Sequence, residues 1–288
     1  MTARPIIANT REELSEALAS RGEIGFVPTM GALHDGHASL LTRARSEVGE
    51  SGAVVASIFV NPLQFGVGED LDRYPRTLEA DLMICADHGV DVVFVPDVTQ
   101  VYPDGDPEVT INPGPKAEIL EGAARPGHFA GVLTVVAKLF GLLGPDVAVF
   151  GEKDYQQLVL IRQLVTDLCL PVRIVGAATL REPDGLAMSS RNRYLDDAAR
   201  SRAVALSQAL TAGARSGQQG AAAVLSAAEA VLRQVKGVEV DYLRLTSTNL
   251  GPAPSSGTAR LLVAAQLGQT RLIDNVSVEL GSSDERSS

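Results

Sequence analysis

Between residues 24 and 179, short apolar and β-branched runs alternate with longer segments whose apolar residues return every three or four positions. The runs predict strands at 24–28 ("IGFVP"), 53–60 ("AVVASIFV"), 91–96 ("DVVFVP"), 147–151 ("VAVFG") and 172–179 ("VRIVGAAT"). The periodic segments predict helices at 37–48, 77–88, 128–143 and 154–168, the last carrying Leu158, Ile161, Leu164, Val165 and Leu168 at helical spacing. Near-continuous apolar strands separated by helices predict a doubly wound, Rossmann-like α/β domain, its parallel sheet covered on both faces. After residue 180 the pattern changes. A polar loop, "REPDGLAMSSRNRYLDD", leads into two Ala-rich helical segments near 196–214 and 220–235, and then into "VEVDYLRL", "ARLLVAAQL" and "TRLIDNVSVEL". Strands without helices between them predict a small antiparallel sheet and a second, smaller α+β domain. The expected division is a Rossmann-like domain at 1–180 and a C-terminal lid domain at 181–288, with a disordered tail at about 281–288.

Composition narrows the class. A chain of 288 residues with 45% hydrophobic content suits two domains with sizeable cores. A net charge of −10 argues against nucleic acid or an anionic membrane as the main partner, because phosphate neutralisation needs a basic face. A small anionic ligand needs only a local positive pocket. Cys85 and Cys169 lie in apolar stretches that fit reduced core thiols, and the N-terminus lacks an apolar leader, so a cytoplasmic location is expected. The longest apolar run, "GVLTVVAKLFGLLG", is short and broken by Lys138; it reads as a buried helix rather than a membrane span.

In a doubly wound sheet, ligands bind beyond the carboxyl ends of the strands. Four of the five post-strand segments carry polar groups that a plain connection would not need. The first is "PTMGALHDGH", Pro28 to His37. Gly31 and Gly36 allow close backbone approach, and His37 opens a helix whose N-terminal amides attract anions. A zinc pair would need more ligands, and only His88 and His128 remain, so this context favours phosphate contact over zinc or ordinary packing. "GEKD" puts Lys153, one of four lysines, beyond the fourth predicted strand, where it is either a point charge for phosphates or part of a hydrophilic turn with Asp154 as helix cap. "MSSRN", Met188 to Asn192, reads as a phosphate clamp or as a domain linker. "NPLQF" and "DYQQL" supply Asn61, Gln64, Gln156 and Gln157. Neutral amides suit a small hydroxy-carboxylate, and consecutive helical residues diverge by about 100°, so only one of Gln156 and Gln157 is expected to face a ligand. No Ser-His-Asp order, Walker lysine motif or Cys-x-x-Cys pair provides covalent or redox chemistry.

Six collinear segments, "PTMGALHDGH", "FVNPLQFG", "YPRTLEADL", "RPGHFAGV", "FGEKDYQQL" and "GLAMSSRNRYL", resemble the pantothenate synthetase (pantoate:β-alanine ligase) family from about residue 5 to 280. That family belongs to the nucleotidyltransferases with a "HIGH"-type signature, here "HDGH", and "MSSR" stands at the "KMSKS" position. The resemblance implies a cytoplasmic, homodimeric, ATP- and Mg²⁺-dependent enzyme of coenzyme A biosynthesis. Pantoate would be adenylated with release of pyrophosphate, and β-alanine would then displace AMP. Carried over by position, His37, His34 and Lys153 would be catalytic, with His37 the proton donor. The ATP-binding set would comprise Met30, Gly31, His34, His37, Gly151, Glu152, Lys153, Asp154, Leu180, Met188, Ser189, Ser190 and Arg191. Gln64 and Gln157, with Asn61 close by, would bind pantoate and β-alanine, and Asp81 would approach Mg²⁺ mainly through phosphates and waters. Arg125 and His128 in "RPGHF" would order a flap or the pantoate pocket, or serve a structural role. The rival readings are an aminoacyl-tRNA synthetase fragment, disfavoured by the negative charge, and a nucleotide-binding regulator without catalysis.

Overall fold

A computed structural model describes residues 4–66, 68–69 and 71–281. The expected disordered tail lies, apart from Gly281, outside the described residues. The chain divides into two compact units, one of residues 1–152 and 156–178, the other of residues 153–155 and 179–288. The division falls at Ala178/Thr179, and Lys153–Tyr155 group with the second unit.

The first unit runs β1 (Ile6–Ala8), α1 (Arg11–Leu18), β2 (Ile24–Thr29), α2 (Asp35–Val48), β3 (Ala53–Ile58), α3 (Leu78–Asp87), β4 (Val92–Phe94), α4 (Val98–Val101), α5 (Glu121–Ala124), α6 (His128–Leu143), β5 (Val147–Gly151), α7 (Tyr155–Asp167, its first residue grouped with the second unit) and β6 (Arg173–Ala177). Its six strands form a parallel sheet in the order β1-β4-β3-β2-β5-β6. The strand pleat sends alternate residues to opposite faces. Phe26, Val55, Phe94 and Phe150 join a core with α6 and α7, while Val27, Val54, Val93 and Val149 join another with Leu41 and Ala44 of α2 and Cys85 of α3. Burial pushes the Cys85 thiol up to about 12 and keeps it inert, whereas Cys169, expected in the core, is exposed at φ 53°.

β1 and α1 are not marked by the hydrophobic pattern. β1 has three residues on the sheet edge, two of them exposed, too few to show a period. A local signal does exist for α1: Thr10 and Glu13 form a reciprocal capping box at its start.

From β2 the chain winds outward through β3 and β4, then returns to β5 and β6 on the other side, so the topological switch lies between β2 and β5. β2 pairs with β3 along its full length but with β5 only at Gly25 and Phe26. Ile24 bonds toward the β5 side, its carbonyl accepting from Asp146 N. Pro28, four residues on and of the same parity, has no N–H to extend that ladder. The strands therefore part at their carboxyl ends, where a ligand crevice belongs.

The second unit contains α8 (Asp197–Arg215) and α9 (Ala221–Gln234), then β7 (Glu239–Ser247), β8 (Gly257–Leu267) and β9 (Thr270–Leu280) in an antiparallel sheet ordered β7-β8-β9. Leu206 and Leu210 of α8 pack on Leu261, Val263 and Val278. No helix among the described residues is long and apolar enough to cross a membrane.

One glycine in α6 sets how closely that helix approaches the segment after β3. A Cβ at Gly131 would lie 2.2 Å from the Leu63 carbonyl oxygen. Gly131→Ala is expected to lower stability by about 1–3 kcal/mol through overpacking, read as a drop in thermal midpoint.

Candidate functional site

The segment leaving β2 turns sharply to reach α2. Gly31 sits at φ 81° and Ala32 at φ 50°. The left-handed region costs glycine little but an alanine on the order of 1–3 kcal/mol, so the surroundings must hold the turn. Asp81 of α3 does so: Oδ2 accepts from Ala32 N (3.0 Å), and Oδ1 accepts from Leu33 N (2.8 Å) and the Thr77 hydroxyl (3.1 Å). Thr29 adds a third brace, its hydroxyl donating to the Ser57 carbonyl and accepting from Gly31 N. A Cβ at Gly31 would come within 3.0 Å of Asp81 Oδ2, so a side chain there would crowd the carboxylate.

The turn delivers two imidazoles to the start of α2. His34 is the N-cap, with Nδ1 accepting from Gly36 N at 3.1 Å. That bond assigns the proton of neutral His34 to Nε2 and makes this nitrogen a donor. The His34 and His37 rings lie 4.2 Å apart between centroids. Both are half-buried beside helix amides that attract anions.

Asn61, Gln64 and Met30 form a linked set. Gln64 donates through Nε2 to the Met30 sulfur (3.0 Å) and accepts at Oε1 from Asn61 Nδ2 (3.1 Å). Asn61 also donates to the Gly131 carbonyl and accepts from the Tyr102 hydroxyl and Leu63 N. With 1% of its surface exposed and all its polar positions engaged, Asn61 orients Gln64 rather than offering a group to a substrate. Arg125 and His128 hold the same segment through its backbone. His128 Nδ1 donates to the Gln64 carbonyl (2.8 Å) and Nε2 accepts from Arg125 (3.0 Å), which itself donates to the Gln64 carbonyl (3.3 Å). Arg125 makes a two-pronged pair with Glu69 (2.8 and 2.6 Å), whose hydrogen bonds hold the Glu69 carboxyl below its usual range.

The two adjacent glutamines of α7 have different surroundings. Gln156 is buried: it accepts from Glu121 N and donates to the carbonyls of Lys116 and Ile119. It ties down the segment before α6. Gln157, one position on, is half-buried rather than buried. Gly151 ends β5 against Ala177 of β6, followed by the half-buried Glu152.

The second unit carries the remaining candidates. Lys153 lies 3.8 Å from the exposed Asp154 carboxylate, a weak surface pair. Leu180 and Met188 close a short hairpin, Met188 N donating to the Leu180 carbonyl, with Leu180 itself 40% exposed. Ser189 caps the short helix Ser190–Tyr194, its hydroxyl accepting from Arg191 N. Asn192 donates to Glu182 and to the Ala187 carbonyl, fastening the loop's far side.

Asp81, expected to approach Mg²⁺, instead serves the turn: it is 1% exposed and both oxygens accept backbone amides. Among the described residues, no three histidine, cysteine, aspartate or glutamate side chains converge as a metal cage. Such a donor set fits only an ion that arrives on phosphates and keeps its waters.

Together the opened switch point, the braced glycine turn, the histidine pair and the ordered amides define the class: a doubly wound α/β enzyme that handles a nucleotide. The pantoate-β-alanine ligase family profile matches residues 6–277. A pantothenate synthetase of a Nocardioides species is 60% identical over 292 aligned residues, covering 98% of this chain and 87% of the relative. Its counterpart from Mycobacterium sp. (strain KMS) is 58% identical, covering 94% and 86%. The crystal structure of the Thermus thermophilus pantothenate synthetase superposes with a TM-score of 0.88 at 48% identity, covering 94% of this chain and 98% of that one. A Francisella tularensis pantoate-β-alanine ligase complexed with β,γ-ATP and β-alanine gives 0.78 at 37% identity, covering 94% and 97%. The chain belongs to the pantoate-β-alanine ligase family.

Two outcomes follow from the braces. Asp81→Asn leaves one oxygen for two amides and turns an N–H toward the other; it is expected to cost about 1.5–3 kcal/mol of stability and to slow the nucleotide step. Its Mg²⁺ dependence should stay that of the parent; a shifted dependence, or rescue by Mn²⁺, would return Asp81 to the metal. Folding lowers the Glu69 pKa, so the Arg125 pair contributes fully above the ordinary value of 4.5 and is lost as pH falls from there through the lowered folded value. Glu69→Gln should flatten this acid limb in a series of thermal melts.

Proposed function

We propose that this protein condenses pantoate with β-alanine at the expense of ATP, through a pantoyl adenylate. In the first step a pantoate carboxylate oxygen attacks the α-phosphorus, the bond to the β-phosphate oxygen breaks, and pyrophosphate leaves. In the second, the β-alanine amine attacks the acyl carbon, the acyl–phosphate bond breaks, the nitrogen loses a proton, and pantothenate and AMP are released. A carboxylate is already an adequate nucleophile, so the first step needs placement and stabilisation of growing negative charge.

The braced turn carries this reading, because it sets two imidazoles at a helix N-terminus beside the switch point. His34 and His37 donate to the phosphates, with His37 the proton donor as charge builds. Met30, Gly31, Gly151, Glu152, Asp154, Leu180 and Met188 seat the nucleotide, and Lys153, Ser189, Ser190 and Arg191 hold its triphosphate. Gln64 and Gln157 hydrogen-bond pantoate and β-alanine, while Asn61 orients Gln64 and Asp81 fixes the turn. Magnesium, bound with ATP, supplies neutralisation of phosphate charge. As the family resemblance implies, the protein acts as a cytoplasmic homodimer on small molecules, and its net charge of −10 does not suit nucleic acid or an anionic membrane.

Pyrophosphate exchange into ATP tests the reading. Exchange is expected with pantoate and Mg²⁺ before any β-alanine is added, and His37→Ala should slow it by about 10²-fold or more. Exchange driven by an amino acid and not by pantoate would identify a synthetase fragment, and ATP binding without exchange would identify a regulator. A parental rate in His37→Ala would reduce that histidine to packing.

A further inference from the structure

Two buried polar residues stand side by side in β9, and neither is used by the chemistry above. Asp274 and Asn275 are each 3% exposed in a strand reading "TRLIDNVSVEL". Neighbouring strand residues point to opposite faces, so the two side chains serve different partners.

Asp274 receives a two-pronged bond from Arg181, at 2.6 and 3.0 Å. Arg181 also donates to the Gly185 carbonyl and pairs across the hairpin with Ala187. The hairpin leads directly into Ser189–Arg191. A fork-to-carboxylate bond fixes orientation as well as distance, so it fixes the root of that loop.

Asn275 holds Lys153. Its Nδ2 donates to the Lys153 carbonyl at 2.8 Å, and its Oδ1 accepts from Arg260 Nε at 2.6 Å. The amide cannot be turned over without facing N–H to N–H and oxygen to oxygen, so its orientation is settled by its partners. Arg260, 8% exposed, stacks its guanidinium 4.0 Å from the ring centroid of Tyr155, two residues beyond Lys153. The Tyr155 hydroxyl donates to the Thr248 carbonyl, one residue beyond β7. β8, β9 and the residue just after β7 thus grip Lys153 and Tyr155 through one carbonyl, one ring face and one hydroxyl. A surface lysine on a strand-to-helix turn would not need such support. A lysine whose ammonium must meet phosphate in one position does, because its own stem is flexible.

We propose that Asp274 and Asn275 are positioning residues for adenylation: from adjacent positions on β9 they set Lys153 and the Ser189–Arg191 loop in fixed register for the triphosphate. This rests on the reading of Lys153 and that loop as triphosphate ligands. Neither residue touches substrate. Each acts through the backbone or the hairpin of a residue that does.

The test separates the two half-reactions. Asn275→Asp keeps the acceptor for Arg260 and removes the donor to Lys153. Pyrophosphate exchange should fall by roughly tenfold to 10²-fold, the scale of a displaced binding group. Pantothenate formation from supplied pantoyl adenylate and β-alanine should stay within about twofold of the parent, since it needs no triphosphate. Arg181→Lys keeps the charge opposite Asp274 but loses the fork, and should show the same split more mildly. In a Lys153→Met background, Asn275→Asp should add no further loss of exchange, because residues acting through one another are not additive. Far-ultraviolet circular dichroism and thermal midpoints establish that each variant is folded. Equal loss in both half-reactions, multiplying losses in the double variant, or parental exchange in both folded single variants overturns the proposal. An unaltered Lys153→Met enzyme would instead remove the reading of Lys153 itself.

Discussion

The Asp81 carboxylate, 1% exposed, holds two consecutive backbone amides of the turn that leaves β2, and everything that follows in the site is referred to that grip. The turn has a steric problem, since Ala32 adopts a left-handed conformation that an alanine on its own avoids. Two charge-assisted hydrogen bonds outweigh that cost, and Thr77 and Thr29 add to them. Only then does His34 arrive as the cap of α2 with its ring nitrogen on Gly36 N. Both oxygens of that carboxylate are aimed at the chain. Here an acidic residue shapes the turn that leaves β2.

Buried neutral amides repeat the theme. Asn61 sets Gln64, Gln156 sets the segment before α6, and Asn275 sets Lys153, each with donor and acceptor ends matched to different partners. An amide of this kind specifies geometry without introducing a buried charge, which a site built for an anionic nucleotide would otherwise have to balance. Gly131 contributes by omission: the Leu63 carbonyl occupies the place its side chain would take, and that contact seats the Asn61–Gln64 turn on α6. Arg125, His128 and Glu69 close the arrangement from the other side through the Gln64 carbonyl.

Much of the fold is legible from periodicity. Parallel strands buried on both faces read as apolar runs, and the helices between them show their spacing, so β2 to β6 and α2, α3, α6 and α7 fall where the pattern places them to within a few residues. β1 does not, because three residues on an edge carry no period, and the exposed position of Cys169 is hidden by its apolar neighbours. The glycine and histidine turn, the lysine and the polar loop are legible as residue types at strand ends. What each amide does is not, since Gln156 and Gln157 are chemically identical and differ only in what surrounds them. Asp274 and Asn275 are not legible either: β9 carries polar residues along its length, and only burial shows that these two need partners.

By itself the sequence determined the fold class, the order of elements and the inventory of groups at the sheet edge, because these depend on local spacing and residue chemistry. The tertiary structure decided which carboxylate braces a turn, which amide is consumed and which strand holds Lys153. Those bonds join residues 49, 35 and 122 positions apart, and no local pattern encodes a partner so distant. Only packing brings donor to acceptor, and only burial makes leaving either unsatisfied costly enough to settle the choice.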